Sequence, residues 1–200
     1  MSKPISIQAI RSGRVSIVTD QIETFTETGV RLSSGAELSA DIIVTATGLA
    51  LKLMGGAQIV VDGVPVDLGK TVTYKGAMFS NVPNLALAFG YTNASWTLKC
   101  ELIARFVCRL LNHMERHGYV QCTPRLPDPA LAKEPAVTLT SGYIQRAIDV
   151  IPRQSARAPW KAYQNYLRDV LCLRFGRLHD GAMEFVRPGY PRVPVVRGER

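Results

Sequence analysis

Two stretches of the sequence combine reactive or polar residue types with a spacing that a fold could use. The first is residues 90–96, Gly-Tyr-Thr-Asn-Ala-Ser-Trp, which run from an apolar segment directly into a long amphipathic pattern. Asn93 and Ser95 are both suited to cap the predicted helix. The free N–H groups of a first helical turn favour an anionic ligand group. The junction therefore predicts an anion-binding site, although the same pattern also occurs at plain strand–loop–helix connections.

The second stretch holds two histidines, His113 and His117, four residues apart on the same predicted helix. They could face one metal ion, but Glu115 lies one place too late for an H-E-x-x-H motif. The sequence offers no evident third ligand, so a solvated helix end is favoured and no metal is predicted. His179 and Asp180, beside Gly181, are typical of a turn. No G-x-S-x-G elbow is present, and no serine or cysteine has a visible base partner.

Short strands and hairpins must position these residues from the amino-terminal side. Alternating or β-branched runs predict strands, and Asp-Gly or Ser-Ser-Gly sequences predict the turns between them. The predicted strands are residues 15–18, 22–26, 29–32, 37–38, 59–61, 64–66 and 71–74.

Two further apolar segments end in glycine and predict strands that are buried on both faces, as in a parallel sheet. They are residues 41–48, Asp-Ile-Ile-Val-Thr-Ala-Thr-Gly, and residues 85–90, Leu-Ala-Leu-Ala-Phe-Gly. In open α/β sheets, ligands bind at the carboxyl ends of such strands. The second segment leads into the 90–96 junction, so the sequence predicts an α/β fold with a ligand near that junction.

A long helix is predicted from Ser95 to Gly118, because apolar residues recur there at helical spacing and glycine suits the position after a helix. The apolar stripe consists of Leu98, Leu102, Ile103, Phe106, Val107, Leu110, Leu111 and Met114. The charged residues predicted to lie mostly off that stripe are Lys99, Glu101, Arg105 and Arg109. A proline-rich extended connection follows at residues 124–135, then shorter helices at 141–149 and 160–173 and an irregular tail beyond Arg187.

The composition describes a globular protein and excludes several classes. Of the 200 residues, 46% are apolar and 20% charged, which argues against disorder. No run of about 18 apolar residues is present, and the start lacks a signal-peptide pattern, so a soluble cytoplasmic protein is expected. The four cysteines form no C-x-x-C pair and predict neither a zinc site nor a disulfide framework.

The net charge of +8 is concentrated near the carboxyl end, where residues 143–200 hold eleven Lys and Arg against five Asp and Glu, or +6. Such a patch could bind a phosphate-bearing ligand, nucleic acid or an acidic membrane. It is equally compatible with a solvated surface. A nucleic-acid partner is not predicted, because no aromatic–basic interleaving accompanies the charge.

The amino-acid sequences of several segments resemble those of one enzyme family. Residues 41–48 resemble the segment ending in A-T-G of the class B flavoprotein monooxygenases, and residues 74–78 resemble the segment that follows it. Residues 81–84 together with 90–99, Gly-Tyr-Thr-Asn-Ala-Ser-Trp-Thr-Leu-Lys, are most similar to the Baeyer–Villiger branch that includes the ethionamide-activating monooxygenases. Pro159-Trp160 and residues 164–169 support the same branch. The likeness extends from about residue 10 to residue 185.

The resemblance implies an incomplete two-dinucleotide-binding-domain flavoprotein fold with β-hairpins and one long helix. Residues 1–40 would be the end of an NADPH domain, residues 41–120 the carboxy-terminal part of an FAD domain, and residues 121–200 a cap. The whole enzyme would use NADPH and FAD to insert one oxygen atom from O₂ into a ketone or a soft heteroatom such as sulfur. The residues implied to lie near the cofactors are Thr47, Gly48, Asn93, Ala94, Ser95 and Trp96, unless Trp96 simply packs under the loop.

Motifs that the family needs for redox chemistry are not in this sequence. It contains no G-x-G, and the family fingerprint F-x-G-x-x-x-H-x-x-x-W is missing. No catalytic residue is therefore assigned, and these 200 residues are not expected to catalyse the reaction alone. The open alternatives are one half of a split flavoprotein with a complementing amino-terminal chain, a non-catalytic remnant, and a basic binding module. Self-association is expected if the apolar strands lack partners.

Overall fold

The computed structural model describes residues 5–132 and 134–189. The chain divides into two compact units, Met1–Thr47 and Gly48–Arg200. The predicted boundaries at residues 40 and 120 remain predictions. No helix in the described ranges is both long and apolar enough to cross a membrane.

In its described residues, 5–47, the first unit contains one short helix and one antiparallel sheet. Helix α1 spans Ile5–Arg11, and the strands are β1 (Ile22–Thr26), β2 (Gly29–Leu32) and β3 (Glu37–Ser39), hydrogen-bonded in the order β1-β2-β3. The predicted strands at 22–26 and 29–32 and the hairpin around residues 33–35 are thus confirmed. The predicted strand at 15–18 is wrong: this β-branched run is irregular and exposed, with no pairing partner among the described residues.

The second unit begins with two small hairpins and continues through the long helix to the carboxy-terminal elements. Its strands are β4 (Val60–Val61), β5 (Val64–Pro65), β6 (Thr73–Tyr74), β7 (Met78–Phe79), β8 (Gln121–Pro124), β9 (Glu134–Pro135), β10 (Arg153–Gln154) and β11 (Met183–Val186). Its helices are α2 (Trp96–His117), α3 (Gly142–Arg146) and α4 (Tyr166–Asp169), the last continued by a π-helical turn at Val170–Phe175. The strands pair antiparallel as β4-β5, β6-β7, β8-β11 and β9-β10.

The hairpin predicted around Asp62-Gly63 is confirmed. Both turn residues have positive φ, 49° at Asp62 and 80° at Gly63, as a type I′ turn requires. The predicted strand at residues 71–74 forms only at its end, as β6.

The two apolar strands predicted to be buried are wrong. Residues 42–48 are irregular and exposed, with Ile42 and Val44 each 82% exposed. Residues 85–90 are also irregular. Their backbone pairs with residues 77 and 78 through the Met78–Ala86 bridge and the bond from Leu87 N to the Ala77 oxygen, 2.8 Å. A parallel strand forms only beside a neighbouring strand to which it is hydrogen-bonded. Among the described residues, neither segment has such a neighbour along its full length. The fold is a mixture of helix and sheet, which is consistent with the predicted α/β class. The two-domain flavoprotein arrangement stays a prediction.

Helix α2 carries the core. Its buried apolar residues, Leu102, Ile103, Phe106, Leu110 and Met114, pack with Val72, Tyr74, Met78, Trp160, Leu173 and Met183. The predicted helix is confirmed, and Gly118 ends it in the left-handed region at φ 67°. Leu98 and Leu111, predicted on the buried stripe, are instead 40% and 57% exposed.

The shorter helices are displaced from their predicted bounds. Helix α3 and a 3₁₀ turn at Ile148–Val150 fall within the predicted 141–149 segment. The helix predicted to start at Trp160 begins only at Tyr166, because Trp160 is buried edge-on against Tyr74 and Asn165 caps the helix. The proline-rich connection predicted at residues 124–135 contains the last residue of β8, a 3₁₀ turn at Pro129–Leu131 and strand β9. Most of the predicted irregular tail lies outside the described residues.

Candidate functional site

The amino terminus of α2 is exposed and lacks a side-chain cap. Ser95 occupies the N-cap position, but its hydroxyl pairs with Thr97 Oγ1 at 3.0 Å instead of a backbone N–H. Asn93 does not cap the helix either, since its amide donates to the Gln164 carbonyl oxygen at 3.2 Å. The predicted side-chain cap is therefore wrong. Residues 93–98 are all exposed, so the first-turn N–H groups are open to an external acceptor.

The loop before the helix is held by a segment far away in sequence, residues 163–169, here called the clamp. Gln164 Oε1 accepts from Thr92 N at 3.0 Å and from Thr92 Oγ1 at 3.1 Å. With the Asn93 bond, three hydrogen bonds to Gln164 fix the loop at residues 92 and 93. Two segments whose sequences resemble the flavoprotein family thus contact each other directly: residues 90–99 and residues 164–169.

Beneath the loop, a buried ion pair joins α2 to the clamp. Lys99 Nζ lies 3.2 Å from Asp169 Oδ2, and both side chains are at most 3% exposed. Tyr91 donates its hydroxyl to the same carboxylate oxygen at 2.6 Å, and Lys99 donates to the Tyr163 carbonyl oxygen at 2.6 Å. Burying charge is costly unless it is paired in this way.

The environment disfavours both charges of this pair. Burial lowers the pKa of Lys99 and raises the pKa of Asp169, while their mutual attraction and the Tyr91 hydrogen bond act in the opposite sense. Burial, together with donation to Asp169, also raises the pKa of Tyr91. The geometry favours the ionised pair, because the Lys99 ammonium and the Tyr91 hydroxyl both lie against the same carboxylate oxygen of Asp169. The network therefore holds the loop, the helix and the clamp together as one body.

Trp96 packs against the turn that precedes it. Its ring lies edge-on to Phe89 with centroids 4.7 Å apart, yet half of its surface stays exposed. A Cβ at Gly90 would overlap the indole and lie 2.7 Å from the Trp96 Cα. The sequence alternative that Trp96 packs under its own loop therefore holds for one face of the indole.

Gly90→Ala is expected to destabilise the chain by about 1–3 kcal/mol, because the added methyl forces the loop away from Trp96. Urea unfolding would measure the loss, and tryptophan fluorescence would report the displaced indole. Gly142→Ala is the matched control: there the nearest atom is the flexible end of Arg146, 3.4 Å away. Equal stability of the two variants would contradict this packing.

Thr47 and Gly48, the other predicted cofactor contacts, are both exposed. Thr47 ends the first unit. Gly48 adopts φ 91° and lies near Arg146, whose guanidinium donates to the Leu49 carbonyl oxygen at 3.3 Å. A Cβ added at Gly48 would have only the Arg146 guanidinium within 4 Å, so no described residue of the 93–96 stretch adjoins Gly48 on that side. Asn93, Ala94, Ser95 and Trp96 lie together because they are consecutive at the start of α2. The role of all six residues as cofactor contacts stays a prediction.

Sequence reasoning missed Lys99, which was predicted to lie off the apolar stripe of α2. Its spacing to Leu102, Ile103 and Phe106 (three, four and seven residues) places it on the buried face. That spacing was the available signal. Arg109, also placed off the stripe, is partly buried and donates to the carbonyl oxygens of Leu173, Arg174 and Gly176.

The two helix histidines meet a third from the carboxy-terminal segment. His113 Nε2 lies 2.9 Å from His179 Nε2, while His117 Nδ1 bonds the His113 carbonyl oxygen at 2.8 Å. Across residues 5–132 and 134–189, no three His, Cys, Asp or Glu side chains are placed to hold a metal ion. Burial, and then the charges of His117, His179 and Arg116, lower the pKa of His113.

Acid is therefore expected to destabilise this end of α2. A histidine whose pKa is lower in the folded state binds protons more readily when unfolded. Its stabilising contribution is complete above the ordinary pKa of 6.5 and is lost as the pH falls from that value through the lower pKa of the folded state. The free energy of unfolding should therefore change less between about pH 8 and about pH 5 in His113→Asn than in the parent chain. An unchanged difference would contradict the assignment.

The candidate site is thus a polar loop that leads into a helix with an exposed, uncapped amino terminus. Comparison with known proteins shows the class of protein to which the chain is similar. The chain is homologous to the carboxy-terminal portion of FAD-containing monooxygenases, with 44–49% identity to the relatives over 88–92% of its length. The predicted resemblance is confirmed at this level.

Three relatives show the extent of the match. The FAD-containing monooxygenase EthA of Mycobacterium tuberculosis is 49% identical over 184 residues, 92% of this chain and 38% of the relative. The probable FAD-binding monooxygenase AlmA of Acinetobacter baylyi is 48% identical over 177 residues, 88% of this chain and 36% of the relative. The putative FAD-containing monooxygenase MymA of M. tuberculosis is 46% identical over 179 residues, 89% and 36% respectively.

The chain therefore spans well under half the length of the curated relatives it matches. No protein-family model matches it. No solved structure matches it either.

Proposed function

We propose that this chain supplies one wall of the FAD site in a flavin-dependent monooxygenase. The observation that carries the proposal is the exposed, uncapped amino terminus of the 22-residue helix α2, presented by a clamped loop within the matched region. FAD, when bound, supplies the activation of O₂ that lets one oxygen atom enter a substrate. The residues proposed to contact it are Thr47, Gly48, Asn93, Ala94, Ser95 and Trp96.

The donor set fits an anionic edge of the cofactor. The first turn of α2 contains no acidic residue, and its backbone N–H groups carry partial positive charge. The nearest buried cation, Lys99, is neutralised by Asp169, so the attraction for an anion comes from the helix itself. Such a terminus stabilises a neighbouring negative charge by about 0.3–1 kcal/mol when exposed and more when covered.

We further propose that the complete enzyme uses NADPH and inserts oxygen into ketones or sulfur compounds, as the Baeyer–Villiger resemblance implies. The dinucleotide motifs that this chemistry needs are not among these residues and would come from the remaining part of the enzyme. Exposed apolar side chains support such a covering partner: Leu167, Leu171 and Phe175 are 64–72% exposed. The four free cysteines support a cytoplasmic location.

The proposed role of the amino terminus of α2 can be tested by adding a negative charge beside it. The test uses a chimera in which this chain replaces the matched segment of the 49% identical relative. Ala94→Asp is expected to lower FAD affinity several-fold, because its carboxylate competes with the anionic ligand. Ala104→Asp, at an exposed site within α2, is the control. An acidic residue before a helix tends to stabilise it, so a purely structural role predicts unchanged FAD affinity and equal or greater stability for Ala94→Asp.

The reaction is tested in the same chimera. We expect NADPH oxidation that depends on a ketone or a thioether, with one atom of ¹⁸O₂ incorporated into the product. NADPH oxidation without labelled product, in a chimera that holds FAD, would contradict the proposed oxygen insertion while leaving the cofactor site intact.

A further inference from the structure

An open groove lies between the outer face of α2 and the segment at residues 173–178, and it is here called the arginine groove. Its volume is about 720 Å³, within the range of about 300–1,000 Å³ that small-molecule sites occupy. The charged side chains described along it are Glu101, Arg105, Arg109, Arg116 and Arg174. Four guanidinium groups thus share the groove with one carboxylate.

The carboxylate does not neutralise the groove. Glu101 Oε1 accepts from Arg105 Nε at 3.0 Å and from Arg105 Nη2 at 2.8 Å, so these two charges compensate each other. Arg116 and Arg174 are both exposed, and neither forms an ion pair with another described residue. Arg174 lies 5.5 Å from the ring centroid of Phe175, a contact that supplies no negative charge.

Arg109 differs from the two buried lysines of the chain in lacking a counter-ion. Lys99 pairs with Asp169, and Lys75 pairs with Asp180. Arg109 instead donates to three backbone carbonyl oxygens, and its Nε is buried with no hydrogen-bond partner in the described part of the chain. Burial lowers the pKa of Arg109. A partly buried cation without a carboxylate partner is stabilised when an anion binds beside it.

The positions of the donors suit a ligand with several negative charges. Arg105, Arg109, Asn112 and Arg116 are separated by three or four residues, so they share one face of α2. Arg109 and Arg116 begin about 10 Å apart along the helix axis, and Arg174 reaches the groove from the facing segment. Guanidinium groups bind phosphate oxygens in pairs. A single phosphate could satisfy only part of this set, whereas a chain of phosphates could engage more of it.

We propose that the arginine groove binds a small molecule that carries a polyphosphate group, held by Arg116 and Arg174 in the field of Arg109. Leu173 and Leu178 line the same groove and could contact an uncharged part of the ligand. A bounded groove favours a small molecule over a nucleic-acid strand, which needs a basic track that follows its backbone. Arg109 lies about 20 Å along the helix from Trp96, so the site is separate from the proposed flavin wall and does not depend on it.

The test is a calorimetric titration of the full chain at physiological salt with tripolyphosphate, ATP and inorganic phosphate. We expect tripolyphosphate to bind about tenfold more tightly than inorganic phosphate, because it can engage more than one guanidinium group. The imidazole signals of His113, which also lines the groove, should shift in NMR spectra. Equal affinity for ATP and tripolyphosphate would assign recognition to the polyphosphate group alone, and tighter binding of ATP would add a contact to the nucleoside.

Two exposed arginines allow the site to be altered without disturbing the core. Arg116→Gln and Arg174→Gln should each fold as the parent chain does and weaken tripolyphosphate binding about fivefold. Lys70→Gln is the matched control, because it removes the same charge from a side chain that is 85% exposed and does not line the groove. Its effect should stay below about twofold, since an exposed and distant charge is screened by salt.

Several results would overturn the proposal. They are the absence of tripolyphosphate binding, an equal loss in Lys70→Gln, and tighter binding of hexaglutamate or of a short oligothymidylate than of tripolyphosphate. An equal loss in Ala94→Asp would place the anion at the amino terminus of α2 and would also overturn it. The test uses neither flavin nor the chimera, so a failure here leaves the proposed flavin wall untouched, and a failure of the flavin wall leaves this site untouched.

Discussion

Replacing Lys99 by methionine is expected to lower the free energy of unfolding by about 3–5 kcal/mol. The substitution keeps the length of the side chain but leaves the Asp169 carboxylate buried beside Tyr91 without its cation. Uncompensated buried charge is far more costly than a lost contact, because the carboxylate cannot regain its hydration. Urea unfolding followed by circular dichroism would measure the change.

The same helix supplies the control for Lys99. Arg105 pairs with Glu101 at 2.8 Å, but both side chains are about 60% exposed, so Arg105→Met should cost only about 0.3–0.5 kcal/mol. The double variant Lys99→Met/Asp169→Asn should recover much of the lost stability, because the amide can still accept from Tyr91. If Lys99→Met were no more harmful than Arg105→Met, the buried pair would not hold the loop.

Asp180→Asn is expected to cost about 3 kcal/mol, since it removes the charge that compensates buried Lys75. Asp180 Oδ2 lies 2.9 Å from Lys75 Nζ and accepts from Tyr74 OH at 2.7 Å, and Lys75 is only 4% exposed. Tyr74→Phe should cost less, about 1–2 kcal/mol, since it removes one hydrogen bond and leaves the ion pair. Glu37→Gln breaks a pair whose side chains are 48% and 53% exposed, and serves as the control.

The Asp180 variant should also respond differently to acid. Burial alone would raise the pKa of Asp180, but the hydrogen bonds from Tyr74 and Lys75 outweigh it and lower the pKa below its usual 3.8. A carboxyl group with a lowered pKa stabilises the fold above its ordinary pKa, and that stability is lost as the pH falls through the folded value. Asp180→Asn should therefore flatten the loss of stability below about pH 4. An acid response identical to that of the parent would contradict the role of this carboxylate.

Local chemistry made part of the fold predictable. The Asp62-Gly63 turn needs only two residues that tolerate positive φ, and α2 needs only its own period and Gly118. The apolar segments 41–48 and 85–90 depend on pairing partners, which no local pattern reveals. Their β-branched or apolar character described what a strand would need but not whether a neighbour exists.

The position of the candidate site was predictable from the sequence, but the contacts that hold it in place were not. Residues 93–96 were identified from the residue types at the start of a predicted helix and from the resemblance to the flavoprotein monooxygenase family. Gln164, which holds Thr92 from 72 positions away, had no sequence signal of contact. Lys99 was misplaced because its charge was given more weight than its spacing, although buried charges occur where a partner such as Asp169 is available.

The most direct measurement of the central claim is the visible absorption spectrum of the purified chimera, in which this chain replaces the 184-residue matched segment of the M. tuberculosis relative. A chain that forms a wall of the flavin site should yield a monodisperse protein with bound FAD in stoichiometric amount, as in the unaltered relative prepared alongside. A folded, monodisperse chimera without flavin absorption, beside a parent that retains its FAD, would contradict the claim.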